Sequence, residues 1–363
     1  MSEDALEIKA GPYKADISPF GGGLWSLTYE DEPLVTEPPH WIPVAFDAGC
    51  LLAPWPNRTE DGTYEFGGKT RHLSITEPWR NNSIHGFVRH LHWRERGRSE
   101  REVRITVSTE RQAGWPWAMD YEMRWEVSSQ DGLIGEFRAV NAGDAPCPFG
   151  FGWHPYLSAF GASIDECTMK LPPVLDLPLD PKRKLPTGEP APHAVFEEAS
   201  GGGIPMSGQW FDHALRVVGG VSKGASVPAQ KFSKGEPVPT RELPKSGPGP
   251  AGASHKQPPV SKGTSETPAL NPPVTSPSKP TVTCQLLGPD GRGVELWAGD
   301  WCRWLQVYTA DAAHDEAFPG IENGRALAIE PMTCPPNMLA SGVDRLTLQP
   351  GEARCFRFGI RAL

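Results

Sequence analysis

A chain of 363 residues with 44 acidic and 35 basic side chains, a formal net charge of -9, has room for one large domain or two ordinary ones and lacks the basic excess that nucleic-acid binding demands. No run of about eighteen apolar residues exists and the opening MSEDALEIKAG is acidic, so neither a membrane span nor a secretory signal is predicted. The seven widely spaced cysteines, without a CxxC pair, are expected to be buried free thiols of a reducing, cytoplasmic compartment, with neither disulfides nor a zinc site.

Along the chain the pattern has period two. His90 and His92 in RHLHW would share one face of a strand, but no third ligand lies nearby, so no metal site is expected. In EVRITV, Val103, Ile105 and Val107 alternate with polar residues, and MRWEV repeats this through Met123, Trp125 and Val127, as half-buried strands do. From Gly219 to Pro280 the composition breaks: the segment holds 13 of the 40 prolines and one aromatic residue, with eight Lys or Arg against three acids. So little apolar surface cannot offset the entropy of ordering, and the segment is read as a disordered insertion. It is basic on an acidic body and could tether an unknown partner. HALRVV before it and TVTCQLL after it read as strands, and a long loop closing that hairpin costs little more than a short one. Residues 1–218 and 281–363 are therefore expected to make one domain. Near the end, Leu346 and Leu348, then QPGE, then Phe356, Phe358 and Ile360 read as a hairpin. Nothing of helical period reaches four turns, so the expected fold is all-β, a large antiparallel β-sandwich.

Thirteen tryptophans are a heavy load. Most should be core, but Trp55, Trp79 and Trp153 lie beside polar segments, where an indole could face the C–H surface of a sugar.

The segments PWPNRTEDGTYEFGG (Pro54 to Gly68), NNSIHGF (Asn81 to Phe87), GWHPYL (Gly152 to Leu157), QWFDHAL (Gln209 to Leu215) and LAIEPMTCPPN (Leu327 to Asn337) occur in the order in which the aldose 1-epimerase family carries them. With LQVYT (Leu305 to Thr309) and the terminal PGE turn, the chain resembles the bacterial branch of that family everywhere except the insertion. The resemblance implies a galactose mutarotase-like sandwich that interconverts the α and β anomers of a free hexose, galactose or glucose, without cofactor or metal. By the same resemblance Glu330 is the general base on O1, His154 the general acid on the ring oxygen, and His85 a second donor there, with Gly86 allowing close approach. Arg58 and Asp212 would grip the hydroxyls, with Gln306 a weaker contact and Asn57 holding the loop.

The chemistry requires such a pair: ring opening removes the O1 proton while the ring oxygen gains one, and reclosure after rotation about C1–C2 gives the other anomer. Each residue also has a plainer reading: Arg58 paired with Glu60 or Asp61, Asp212 in a turn, Glu330 at a strand end, either histidine structural. Cytoplasmic activity would need His154 raised by a nearby anion, Asp212 or Glu330, or else proton donation by the minority protonated fraction. Two alternatives share the fold: a hexose-6-phosphate mutarotase using Arg71, Arg80 and Arg89 on the phosphate, and a non-catalytic sugar-binding protein.

Overall fold

The computed structural model describes residues 5–39, 45–199, 201–219 and 281–363. The insertion read at 219–280 therefore lies outside the described residues except for Gly219.

Two large sheets dominate. One has nine strands, running from Arg94–Arg98 through Glu102–Thr109, Met119–Ser128, Gly132–Asn141, Ala353–Ala362, Gly293–Ala298, Val282–Leu287 and Thr168–Lys170 to Ile204–Pro205. The other, of seven, runs Val174–Leu177, Asp212–Val217, Trp304–Ala310, Ala326–Met332, Gly152–Trp153 and Leu51–Leu52, with Tyr156–Leu157 also paired to Ala326–Met332. A four-stranded N-terminal sheet, Leu6–Ala10 to Glu32–Pro33, joins them. Among the described residues the α-helices are single turns, Ala194–Glu197 and Met338–Ser341. The all-β expectation holds, and the seven cysteines are all free thiols, six of them buried.

Alternation explains how the sheets pair. Val103, Ile105, Met123, Trp125 and Val127 are buried while their neighbours point outward. Trp125 stands opposite Gly135, which in turn faces Phe358. A Cβ on Gly135 would come within 2.6 Å of the Phe358 ring, so the missing side chain is what admits the two aromatics. Trp125 and Phe358 both pack on Trp153, centroids 5.7 and 4.7 Å away, and the Trp153 indole N–H donates to the Gly49 carbonyl at 3.0 Å. The residue before His154 is thus bolted into the core between the sheets.

Three local expectations are corrected. Leu346–Leu348 pairs with Cys147–Phe149, whereas Ala353–Ala362 runs between Gly132–Asn141 and Gly293–Ala298, so they form no hairpin. Asn141 separates them: its side chain donates to the Leu348 carbonyl and its backbone N–H to that of Glu352. The strands flanking the insertion are not a hairpin either, because Asp212–Val217 belongs to the seven-stranded sheet and Val282–Leu287 to the nine-stranded one. Their ends nevertheless share a rim: Val217 N–H donates to the Arg303 carbonyl and Thr281 N–H to that of Ala298. Residues 299–303 there carry the chain from one sheet to the other. RHLHW, finally, opens as a 3-10 turn, Val88–His90, and the His92 ring packs edge-on against Phe20, so the two histidines share no strand face.

Candidate active site

The site grows out of one face of the seven-stranded sheet. Leu215, Leu305, Val307, Leu327 and Ile329 point into the main core. Period two then forces Asp212, Gln306, Tyr308 and Glu330 onto the opposite face. Register brings them together, with Gln306 opposite both Glu330 and Ala214, and Asp212 opposite Tyr308. The alternation of LQVYT and LAIEP thus builds a polar row on an apolar sheet. Gln306 links the row: its Nε2 donates to Asp212 Oδ1 at 2.8 Å, and its Oε1 accepts from Asn57 Nδ2 at 3.1 Å.

His154 follows Trp153 and lays its imidazole over Glu330, Nε2 to Oε1 3.3 Å. Tyr156 stacks on the imidazole at 5.3 Å and His85 meets it edge-on at 5.6 Å. Glu330 is 2 % exposed and His154 5 %. Glu330 Oε2 and His154 Nδ1 are buried with no hydrogen-bond partner among the described residues. Unsatisfied buried polar atoms are uncommon in native proteins and call for a physical reason.

His85 is fixed in one tautomer. Its Nδ1 accepts from the Asn57 backbone N–H at 3.1 Å and its own N–H returns to the Asn57 carbonyl, so Nε2 carries the proton and donates outward. The residue adopts a left-handed φ of 61°, uncommon outside glycine. Gly86 is required by close approach, but to protein: a Cβ there would lie 2.1 Å from the Ala53 carbonyl oxygen. Asn57 links His85 and Gln306 through its backbone N–H and its side-chain amide.

Arg58 does not pair with Glu60 or Asp61. Its guanidinium makes a bidentate pair with Glu77, Nε to Oε2 and Nη2 to Oε1 both 2.9 Å, and Glu77 also accepts from Arg80 and Asn82 at 3.0 Å. Burial alone would raise the Glu77 carboxyl, but Arg58, Asn82 and Arg80 hold it below the usual range. Arg58 Nη1 makes no hydrogen bond among the described residues. Asp212 is clamped on its second oxygen by Lys184, Nζ to Oδ2 3.0 Å, and Lys184 also sits over the Trp210 ring at 4.9 Å.

Electrostatics overturn one of the two expectations for His154, that an anion raises it, and leave donation by the minority protonated fraction. Burial pushes His154 down to about 4, against the smaller upward pull of Asp47, and Arg89 adds to the fall. Burial also drives Glu330 well up, helped by Asp212 and Asp47, with Arg58 alone opposing. His85 is held well below its ordinary value, first by burial, then by Arg89, His154 and Arg58. Neither Asp212 nor Glu330 raises His154, and the pull of Asp47 does not offset burial; the buried pair favours neutral imidazole and protonated carboxyl.

Glu330, His154, His85, Asp212, Gln306 and Asn57 thus form one cluster, with Arg58 at its edge. Of the tryptophans read as sugar platforms, Trp55 packs in the core on Phe87 and Trp115 and Trp153 on Trp125, whereas Trp79 is 76 % exposed in the turn between Glu77 and Arg80. Sequence reasoning missed Glu77, Lys184 and Asp47. Glu77 carried a faint signal, since a buried arginine needs a buried acid. Lys184 in DPKRK and Asp47 in a glycine-flanked turn carried none.

The sequence pattern of the aldose 1-epimerase family matches residues 4–227. The uncharacterized protein YihR of Escherichia coli K12 is 24% identical over 360 residues, covering 99% of this chain and 93% of that protein. Among solved structures, a galactose mutarotase-like protein from Clostridium acetobutylicum superposes with a TM-score of 0.70 at 18% identity over 99% of this chain and 95% of that one. The galactose 1-epimerase from Lactobacillus acidophilus NCFM gives 0.65 at 13%, over 99% and 95%. At such identities the structures speak for the shared fold.

Proposed function

Because the chain belongs to the aldose 1-epimerase family, we propose that it interconverts the α and β anomers of a free hexose, with Glu330 and His154 as the proton-transfer pair. The observation that carries this reading is their 3.3 Å contact, buried, with an unpartnered oxygen on Glu330 and an unpartnered nitrogen on His154. In the productive state Glu330 is a carboxylate that takes the O1 proton, and His154 gives one to the ring oxygen. The C1–O5 bond opens to the aldehyde, C1–C2 rotates, and the same two groups reverse their roles on reclosure.

Burial disfavours that ion pair in the free site, so the sugar must supply what the charged forms lack. O1 and the ring oxygen bring hydrogen bonds to them, the His85 Nε2–H stabilises charge gathering on the ring oxygen, and Arg58 is the cation favouring ionised Glu330. Asp212, held by Gln306 and Lys184, and Arg58, held by Glu77, are proposed to fix the ring hydroxyls.

The arginines that a phosphate would need are already engaged. Arg71 lies over the Trp117 ring, Arg80 pairs with Glu77 and Glu316, and Arg89 pairs with Asp47. These pairings favour an uncharged sugar. Polarimetry of freshly dissolved α-D-galactose and α-D-glucose tests the reading: equilibration faster than the spontaneous rate is expected for at least one, and background rates for both would refute it.

A further inference from the structure

Asp47 belongs to none of the motifs, yet it reaches the centre of the site. It closes the Ala45–Asp47 turn with a left-handed φ of 55°. One carboxylate oxygen, Oδ1, is held by the guanidinium of the buried Arg89. The other, Oδ2, accepts no hydrogen bond among the described residues and faces His85 Nε2 across 4.0 Å. That is too long for a direct bond. Since Asn57 fixes the His85 tautomer, the atom opposite Oδ2 is a donor with no hydrogen-bond acceptor among the described residues.

A donor and an acceptor set this far apart are complementary to a group that is both at once. A hydroxyl oxygen placed about 2.8 Å from each would accept from His85 and donate to Asp47, with an angle of about 90° at that oxygen. Arg89 holds the carboxylate in place through a charge-assisted pair. The Asp47 side chain keeps 17% exposure.

We propose that Asp47 is a substrate-binding residue which, with His85 sharing its Nε2–H between the ring oxygen and this group, clasps the hydroxyl on C6 of the sugar. The choice of hydroxyl rests on the epimerase reading: His85 faces the ring oxygen, the carbons flanking that oxygen are C1 and C5, O1 belongs to Glu330, and the remaining nearby hydroxyl is the one that C5 carries on C6. The ring oxygen itself bears no proton and cannot donate to Asp47. Asp47 would thus make the enzyme sensitive to the C6 substituent, independently of the Asp212 end of the ring.

The test compares galactose with 6-deoxygalactose for the parent chain, Asp47→Ala and the isosteric Asp47→Asn, by polarimetric kcat/KM and by binding read from tryptophan fluorescence. Losing the C6 hydroxyl should cost the parent about tenfold or more in both measures, because it strands Asp47 and His85 unpaired. In Asp47→Ala the two sugars should become equivalent, with Tm showing that the chain still folds; Asp47→Asn, which keeps the shape, should narrow the difference if the Ala variant does not fold. Equal handling of both sugars by the parent, or unchanged discrimination in both variants, would overturn the assignment. Discrimination in binding that disappears with Asp47, in a parent with no turnover, would uphold the clasp and refute the epimerase reading alone.

Discussion

His154 Nε2 lies 3.3 Å from Glu330 Oε1 with both residues almost wholly buried, so protonation of this pair bears on the stability of the fold.

For His154 the sign is definite. The folded value of about 4 lies below the ordinary ~6.5, so between those values the folded chain binds fewer protons than the unfolded chain. The stability this residue permits is complete above about pH 6.5 and is lost as the pH falls towards about 4, a loss approaching about 3 kcal/mol. His154→Asn should therefore lose less Tm than the parent between pH 6.5 and 4.5. Parallel Tm curves for the two would mean that the imidazole protonates in the fold without cost.

Glu330 has the opposite sign. Its raised carboxyl favours the fold below the unfolded value of ~4.3, and that contribution is lost as the pH rises through the folded value. Glu330→Gln should melt above the parent at pH 7 to 8, the stability often gained when a strained catalytic group is removed. A lower Tm across that range would contradict the raised value.

Glu77 supports the site from behind. Glu77→Ala would strand the mostly buried Arg58 and should cost about 3–5 kcal/mol, seen as a lower urea midpoint. Glu77→Gln should cost less, since one oxygen still accepts from Arg58. Wild-type stability in Glu77→Ala would show that Arg58 finds another partner.

The insertion can be tested through the rim where its ends lie. Residues 299–303 already pass between the two sheets beside Val217 and Thr281, so a similarly short Gly/Ser link should replace residues 220–280. Tm and activity are then expected to stay near those of the full chain, because loop closure depends only weakly on length. Insoluble or destabilised protein would show that the segment contributes to the fold.

The sequence made the sandwich legible because period two survives wherever one strand face is buried, as in Val103, Ile105, Met123 and Trp125. It did not reveal pairing partners, since alternation names a strand's faces and not its neighbours; both hairpin readings failed for that reason. The Glu330, His154, His85, Asp212 and Arg58 set was legible only through motif resemblance. Glu77, Lys184 and Asp47 come from turns, where a charged side chain looks the same whether it points to solvent or inward. The downward shift of His154 was beyond the sequence too, because it comes from burial, which no neighbouring residue in the chain announces.

The most direct measurement is polarimetry of Glu330→Gln beside the parent, with hexose binding followed by tryptophan fluorescence. The substitution keeps shape and hydrogen bonding but cannot accept the O1 proton. Binding is expected to survive while anomerisation falls by ~10²- to 10⁴-fold, the usual cost of losing a general base. A near-parental rate in Glu330→Gln would remove this residue from the chemistry and contradict the proposed mechanism.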